Sequence, residues 1–246
     1  MITENFKVRY SEVTPENFVP VWVLQNYGQQ AAGIDAQSFN LGWEDLSKSK
    51  IAWILMKMSF KILCDIKAMD NIKLNTWHVL SDKLKSRRDF VFFDENGKEA
   101  AKAVSWWLVF DQEKRRLTRT PASLLLPYDN VETAMEDIEV SQPSFEGQTP
   151  VKEHEVIARI EDTDLNDHVN NVHFTAWAVE GVPEDIRKTA RLTDITINFK
   201  NEVKPGEKIK VNTYKTDSGF WHILVRETDK KEIASAYSVW KTADNN

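Results

Sequence analysis

The sequence predicts an α+β fold in which a helix wrapped by a curved antiparallel sheet occurs twice along one chain. Three observations predict it. First, the chain repeats itself: Lys73-Leu74-Asn75-Thr76-Trp77 reads against Lys210-Val211-Asn212-Thr213-Tyr214, and Lys98-Glu99-Ala100-Ala101-Lys102-Ala103 against Lys231-Glu232-Ile233-Ala234-Ser235-Ala236, with Trp107 opposite Trp240. Second, the later part of each copy is rich in β-branched and aromatic residues broken by turn signals. Third, each copy holds one helical pattern whose apolar surface is broad enough to need enclosure by sheet.

Near the two starts Arg9 sets against Arg159 at an offset of 150, which lays Val19 to Ala31 over Val169 to Gly181. The later matches stand at 137 and 133, so the first copy carries the longer loops. In the second copy a helix is predicted from Val169 to Glu180, with Val169, Val172, Ala176 and Val179 along one stripe, Phe174 and Trp177 widening it, and Asn170 or a neighbour capping its start. Strands follow at Ile195 to Phe199, Ile209 to Tyr214, Trp221 to Glu227 and Ile233 to Trp240, with turns at Lys204-Pro205-Gly206 and Asp217-Ser218-Gly219. In the first copy Trp22 to Ala32 is the matching helix, followed by an insertion from Gly33 to Lys50 and strands from Ile51. The chain therefore divides into an N-terminal copy over 1–128, a linker over 129–150 and a C-terminal copy over 151–246.

The linker assignment rests on charge. The 246 residues carry 32 Lys+Arg against 38 Asp+Glu, a net charge of −6, and six acids with no Lys or Arg lie between Asp129 and Glu146. Against an otherwise balanced chain stand two basic clusters, Lys83, Lys85, Arg87 and Arg88, then Lys114, Arg115, Arg116 and Arg119. They read either as solvated loops or as a landing patch for an acidic partner. Nucleic acid is not that partner, because the chain as a whole is acidic and has no nucleic-acid motif. No apolar run is long enough for a membrane span, Met1 to Phe6 lacks a signal-peptide pattern, and the single cysteine, Cys64, excludes a disulfide framework or thiolate zinc cluster. A cytoplasmic enzyme or binding protein is the expectation.

The densest polar cluster, Asp162-Thr163-Asp164-Leu165-Asn166-Asp167-His168-Val169-Asn170-Asn171, precedes the second helix. In an extended approach Asp164, Asn166 and His168 share a face, beside a helix N-terminus whose free N–H groups suit an oxyanion. A polar capping loop is the alternative. At offset 150 the first copy has Thr14, Glu16 and Phe18 at these positions, which points to a site in the second copy only. His173 falls on a different side of the helix from His168, so the two do not make a zinc helix. His78, His154 and His222 have no partnered motif and read as structural or solvated.

The run Asp164-Leu165-Asn166-Asp167-His168-Val169-Asn170-Asn171-Val172-His173-Phe174, followed by Trp177, Glu180 and Pro183, closely resembles the signature of acyl-acyl-carrier-protein (acyl-ACP) thioesterases. Ile51-Ala52-Trp53-Ile54, Arg87-Arg88-Asp89-Phe90 and Lys114-Arg115-Arg116-Leu117 fall in family order, so the resemblance covers nearly the whole chain. It implies a tandem hot-dog fold and hydrolysis of acyl-ACP to free fatty acid, without a cofactor or metal. By the same resemblance Asp164, Asn166, His168 and Glu202 form the catalytic set; from their place at the helix start, the backbone N–H groups near Val169 and Asn170 are expected to receive the oxyanion. Many plant members have a Cys directly after that Glu; here the position is Val203, which argues against a covalent sulfur mechanism.

The resemblance also implies that the first copy shapes the acyl tunnel, with Trp53, Trp106 and Trp107 as lining candidates. It makes acidic acyl carrier protein the partner for Lys83, Lys85, Arg87, Arg88, Lys114, Arg115 and Arg116. An acyl-CoA thioesterase, a hydroxyacyl dehydratase and a noncatalytic acyl binder are the alternatives. Monomer and homodimer are both compatible with the repeat.

Overall fold

The computed structural model describes residues 1–120 and 132–242. Two compact units divide the chain, Met1–Asp137 and Ile138–Asn246. The first contains β1 (Ile2–Lys7), a 3-10 turn (Tyr10–Glu12), helix α1 (Val21–Ser38), a short helix α2 (Trp43–Lys48), and strands β2 (Ile51–Ile62), β3 (Asn71–Ser81), β4 (Ser86–Phe93), β5 (Glu99–Asp111) and β6 (Arg116–Thr118). Its sheet runs β1-β3-β4-β5-β2, with β6 paired to β5, and these pairings are antiparallel. Leu24, Ala31 and Asp35 lie at helical spacing on the buried side of α1. The expected insertion at Gly33 instead continues the helix to Ser38. The reason is Asp35: it is buried and accepts an ion-paired hydrogen bond from the Arg88 guanidinium of β4 at 2.6 Å, which anchors the last turns to the sheet.

The second unit repeats the plan with β7 (Lys152–Ile157), a 3-10 turn (Ile160–Asp162), α3 (Asn171–Glu180), a short α4 (Glu184–Thr189), β8 (Ala190–Phe199), β9 (Lys208–Lys215), β10 (Phe220–Arg226) and β11 (Glu232–Thr242). Its sheet order is β8-β11-β10-β9-β7, and α3 packs on β9, β10 and β11. The repeat read from the sequence recurs in hydrogen bonds. Arg9 N–H donates to the Glu12 carboxylate at 2.8 Å and Arg159 N–H to that of Asp162 at 2.7 Å. The Trp107 indole N–H donates to Ser105 Oγ, as that of Trp240 does to Ser238 Oγ.

β4 is buried on both faces. Alternate residues of a strand point to opposite sides, so Arg88 faces α1 while Arg87 and Asp89 face away from it. That outer face is covered by residues 132–137. Trp77 Nε1 donates to the Glu132 carbonyl at 2.8 Å, Ala134 N–H to Asp89 Oδ2 at 2.8 Å, and Arg87 to both the Asp89 carboxylate and the Met135 carbonyl. Asp137 closes the set, 2.9 Å from Lys57 Nζ and accepting from Trp106 Nε1 at 2.9 Å. The acidic stretch predicted as a linker thus begins, in its described part, as the cover of the first unit. Its start at Asp129, and Pro127 before it, lie outside the described residues. Burial holds the Asp89 carboxyl above the usual carboxylate range, against the pull of Arg87 and the Ala134 N–H.

His222 is fully buried, with Nδ1 3.0 Å from Thr213 Oγ1 and Nε2 2.9 Å from Ser238 Oγ. Burial, then nearby His154, lowers its pKa to about 3; burial, then Arg88, lowers that of His78 to about 4. The unfolded chain binds a proton on each imidazole near pH 6.5, well before the folded chain does, so stability falls as pH drops from about 6.5 towards 4. Each histidine contributes up to ~1.4 kcal/mol per pH unit in that window. Urea titrations across pH 4–7 check this, and His222→Gln is expected to make the acid limb shallower.

Candidate active site

The approach to α3 is a tight turn. Asp164 N–H donates to the His168 carbonyl at 2.8 Å and Asp167 N–H to the Asp164 carbonyl at 3.1 Å, with Asp167 in the left-handed region at φ 61°. Thr163 and Val169 form a β-bridge at the base of the turn. The Asp164 carboxylate accepts the Asn166 N–H at 2.8 Å, an arrangement open to Asp because its short side chain reaches the backbone two residues on. The extended approach expected from the sequence is therefore replaced by a turn, and Asp164 acts within it by holding the Asn166 backbone. Asn166 itself is exposed.

The turn leads into α3 as predicted, with Asn170 Oδ1 accepting the Val172 N–H at 3.2 Å. The oxyanion assignment changes. Val169 N–H donates to the Val203 carbonyl at 2.8 Å and Asn170 N–H to the Asp162 carbonyl at 2.8 Å, so both amides are consumed in holding the turn. Among the described residues the N–H of Asn171, the first residue of α3, has no hydrogen-bond partner. The missed signal was the cap itself: once Asn170 is the N-cap, the first open amide belongs to the following residue.

The Val169–Val203 bond draws the segment after β8 against the turn. Glu202 is thereby delivered to His168, and His168 Nε2 lies 3.2 Å from Glu202 Oε2. Their side chains are 32% and 44% exposed, so water has access. Behind them Arg226 donates to the Glu202 carbonyl at 2.9 Å and pairs with Glu207 and Asp229, tying the segment to β10. Val203 is fully buried, and no thiol stands beside the carboxylate. Cys64 belongs to the first unit, and burial pushes its thiol pKa up, away from the reactive thiolate.

The first unit supplies an internal control. Thr14 N–H bonds the Phe18 carbonyl, Asn17 N–H bonds the Thr14 carbonyl, Val19 N–H bonds the Ile66 carbonyl, and Asn17 is left-handed at φ 63°. The same frame thus carries Phe18 in place of His168, and Asp65 in place of Glu202 at offset 137. The frame does not require the imidazole: His168 is what the second copy has and the first lacks, while both copies carry a carboxylate at the second position.

The basic clusters separate by burial. Lys83, Lys85, Lys114, Arg115 and Arg116 are exposed, whereas Arg87 and Arg88 are buried in the ion pairs with Asp89 and Asp35. Those two arginines are not surface docking residues, because β4 turns them onto its two covered faces. β6 folds back on β5, and Thr120 N–H donates to the Lys83 carbonyl at 3.0 Å, which brings the end of the second cluster's strand to the start of the first cluster. Of the tryptophans, Trp53 packs on Leu41, Leu46 and Val109. Trp106 pairs across strands with Arg87 and so lies on the face away from α1, which removes it from a lining on the helix side. Trp107 shares the α1 side with Ser105.

The model of the acyl-ACP thioesterase N-terminal domain matches residues 1–128, and that of the C-terminal domain matches 146–242. Among curated proteins, a chloroplastic palmitoyl-acyl carrier protein thioesterase of Cuphea hookeriana is 25% identical over 257 residues, covering 97% of this chain and 61% of its own length. A chloroplastic oleoyl-acyl carrier protein thioesterase of Arabidopsis thaliana is 24% identical over 277 residues, covering 97% and 75%. The chain thus spans about three fifths of the length of the first of these. Among solved structures, a 12:0-ACP thioesterase from Umbellularia californica superposes with a TM-score of 0.84 at 21% identity, over 98% of this chain and 97% of that one. An acyl-ACP thioesterase from Bacteroides thetaiotaomicron gives 0.82 at 17%, over 98% and 97%. The structural likeness establishes the fold, an α+β tandem hot-dog. No helix among the described residues is long and apolar enough to cross a membrane.

Proposed function

Because the chain belongs to the acyl-ACP thioesterase family, we propose that it hydrolyses the thioester of acyl-acyl carrier protein, releasing free fatty acid and ending chain elongation. The observation that carries the reading is the 3.2 Å pair of His168 and Glu202, beside a helix whose first N–H is unpartnered among the described residues. A thioester is already activated, so hydrolysis needs a water, a base and a home for negative charge. Glu202, partnered by His168, takes a proton from the attacking water. The new C–O bond forms, and the Asn171 N–H receives the carbonyl oxygen as it becomes an oxyanion. Asn166 holds the water or the carbonyl, and Asp164 shapes the turn that presents it. Collapse breaks the C–S bond, and the departing thiolate takes back the proton.

In the first unit, Trp53 and Trp107 offer half-buried apolar surface to the acyl chain. The acidic carrier docks on Lys83, Lys85, Lys114, Arg115 and Arg116. The cytoplasm is the setting we assign, on the strength of a single cysteine that suits a reducing compartment. The named plant relatives are chloroplastic.

Incubation with a series of acyl carrier thioesters, followed by identification of the acids released, tests the function; absence of any released acid overturns it. The docking surface has its own test. Reversing Lys83, Lys85 and Arg116 to Glu is expected to raise KM for acyl carrier substrates about 10-fold at low salt and to flatten its salt dependence, since the surface acts by steering. Hydrolysis of a small soluble thioester stays unchanged. Equal loss on both substrates counts against docking there.

A further inference from the structure

A second acid–histidine pair lies beside the first, and the hydrolytic mechanism leaves it without a task. Asp162 is buried and is a junction of three contacts. Its carboxylate accepts the Arg159 N–H through Oδ2 at 2.7 Å, and its Oδ1 lies 3.3 Å from His173 Nδ1. Its carbonyl accepts the Asn170 N–H at 2.8 Å. One residue therefore fastens the exit of the 163–169 turn and, through His173, the first turn of α3, two residues beyond Asn171.

The other copy shows that this fastening is part of the plan. There Glu12 holds the Arg9 N–H in the same way, and its carboxylate is tied to the helix by the Tyr27 hydroxyl at 2.7 Å. At offset 150 Val23 stands for His173 and Tyr27 for Trp177. The tie has thus moved towards the helix N-terminus in the unit that carries the His168–Glu202 pair. We infer that Asp162 and His173 form a positioning pair that fixes the His168 turn against the Asn171 N–H, so that base and oxyanion donor keep one separation during hydrolysis. This rests on the reading of the turn as the hydrolytic site.

The test compares His173→Ala with His173→Asn, whose side-chain amide sits close to the place of Nδ1 and donates to the same carboxylate. For acyl carrier thioesters, His173→Ala is expected to lose at least about 10-fold in kcat with KM little changed, and His173→Asn to return to within about threefold of the parent, because misplacement of a reacting group acts on the chemical step. The 15N chemical shifts of the His168 imidazole, which need no turnover, are expected to move in His173→Ala and to return in His173→Asn. Identical behaviour of the two variants, or unchanged His168 shifts in His173→Ala, overturns the positioning role. A parent protein that releases no acid overturns the functional reading instead, and the His168 shifts still decide the pair.

Discussion

Replacement of Glu202 by Gln is expected to lower kcat for acyl carrier thioesters by at least ~100-fold, the scale on which a positioned general base acts, while KM changes little. Gln keeps the length and polarity of the side chain and still accepts a hydrogen bond from His168 Nε2. It cannot take a proton from water. The carboxylate is partly exposed at the end of a segment held by the Val169 N–H to Val203 carbonyl bond and by the Arg226 guanidinium on the Glu202 carbonyl. Both bonds use main-chain atoms of residues 202 and 203, so the substitution leaves the support in place. Steady-state kinetics of the variant give the answer: a near-normal kcat removes Glu202 as the base and leaves His168 in that role.

The largest expected loss of stability follows Arg88→Met, at about 3–5 kcal/mol, because it strands the Asp35 carboxylate without its counter-charge. Asp35 is 3% exposed on α1, and the Arg88 guanidinium 2.6 Å away is its charged partner. A buried ion pair adds little over a well-packed apolar pair, since both charges are desolvated on folding. The double variant Asp35→Leu, Arg88→Met is therefore expected to recover most of the loss. Urea unfolding of the single and double variants makes the comparison. If the double variant is as unstable as the single one, the loss comes from packing and the electrostatic account fails.

Much of this was legible in the sequence. Arg9 and Arg159 located the two starts at offset 150, and the structure shows why: the residue three positions after each caps its backbone N–H and sets the entry into the polar turn. Strands, turns and the Asn170 cap followed from local chemistry. Arg87 and Arg88 were misplaced because a run of cations in sequence carries no information about which faces of a strand are covered. One arginine is hidden by α1, the other by residues about fifty positions downstream. Val169 and Asn170 offer no free amide because hydrogen bonds from Val169 to Val203 and from Asn170 to Asp162 consume the N–H groups nearest His168, and the first of these is a long-range contact that local sequence does not reveal. The pairing of Asp162 with His173 was not legible, because the partner of the acid lies on the helix and differs between the copies, Tyr27 for Glu12 and His173 for Asp162.

The cover over the outer face of β4 bears on how the protein is cut into pieces. A fragment ending at 128, where the match to the N-terminal family model stops, would leave Lys57, Arg87 and Asp89 facing solvent, without the Ala134 amide, the Met135 carbonyl or Asp137. Extending the same fragment to residue 137 restores every one of those contacts from within its own chain. The natural place to divide the gene is therefore after the acidic cover, well past the last strand of the first sheet.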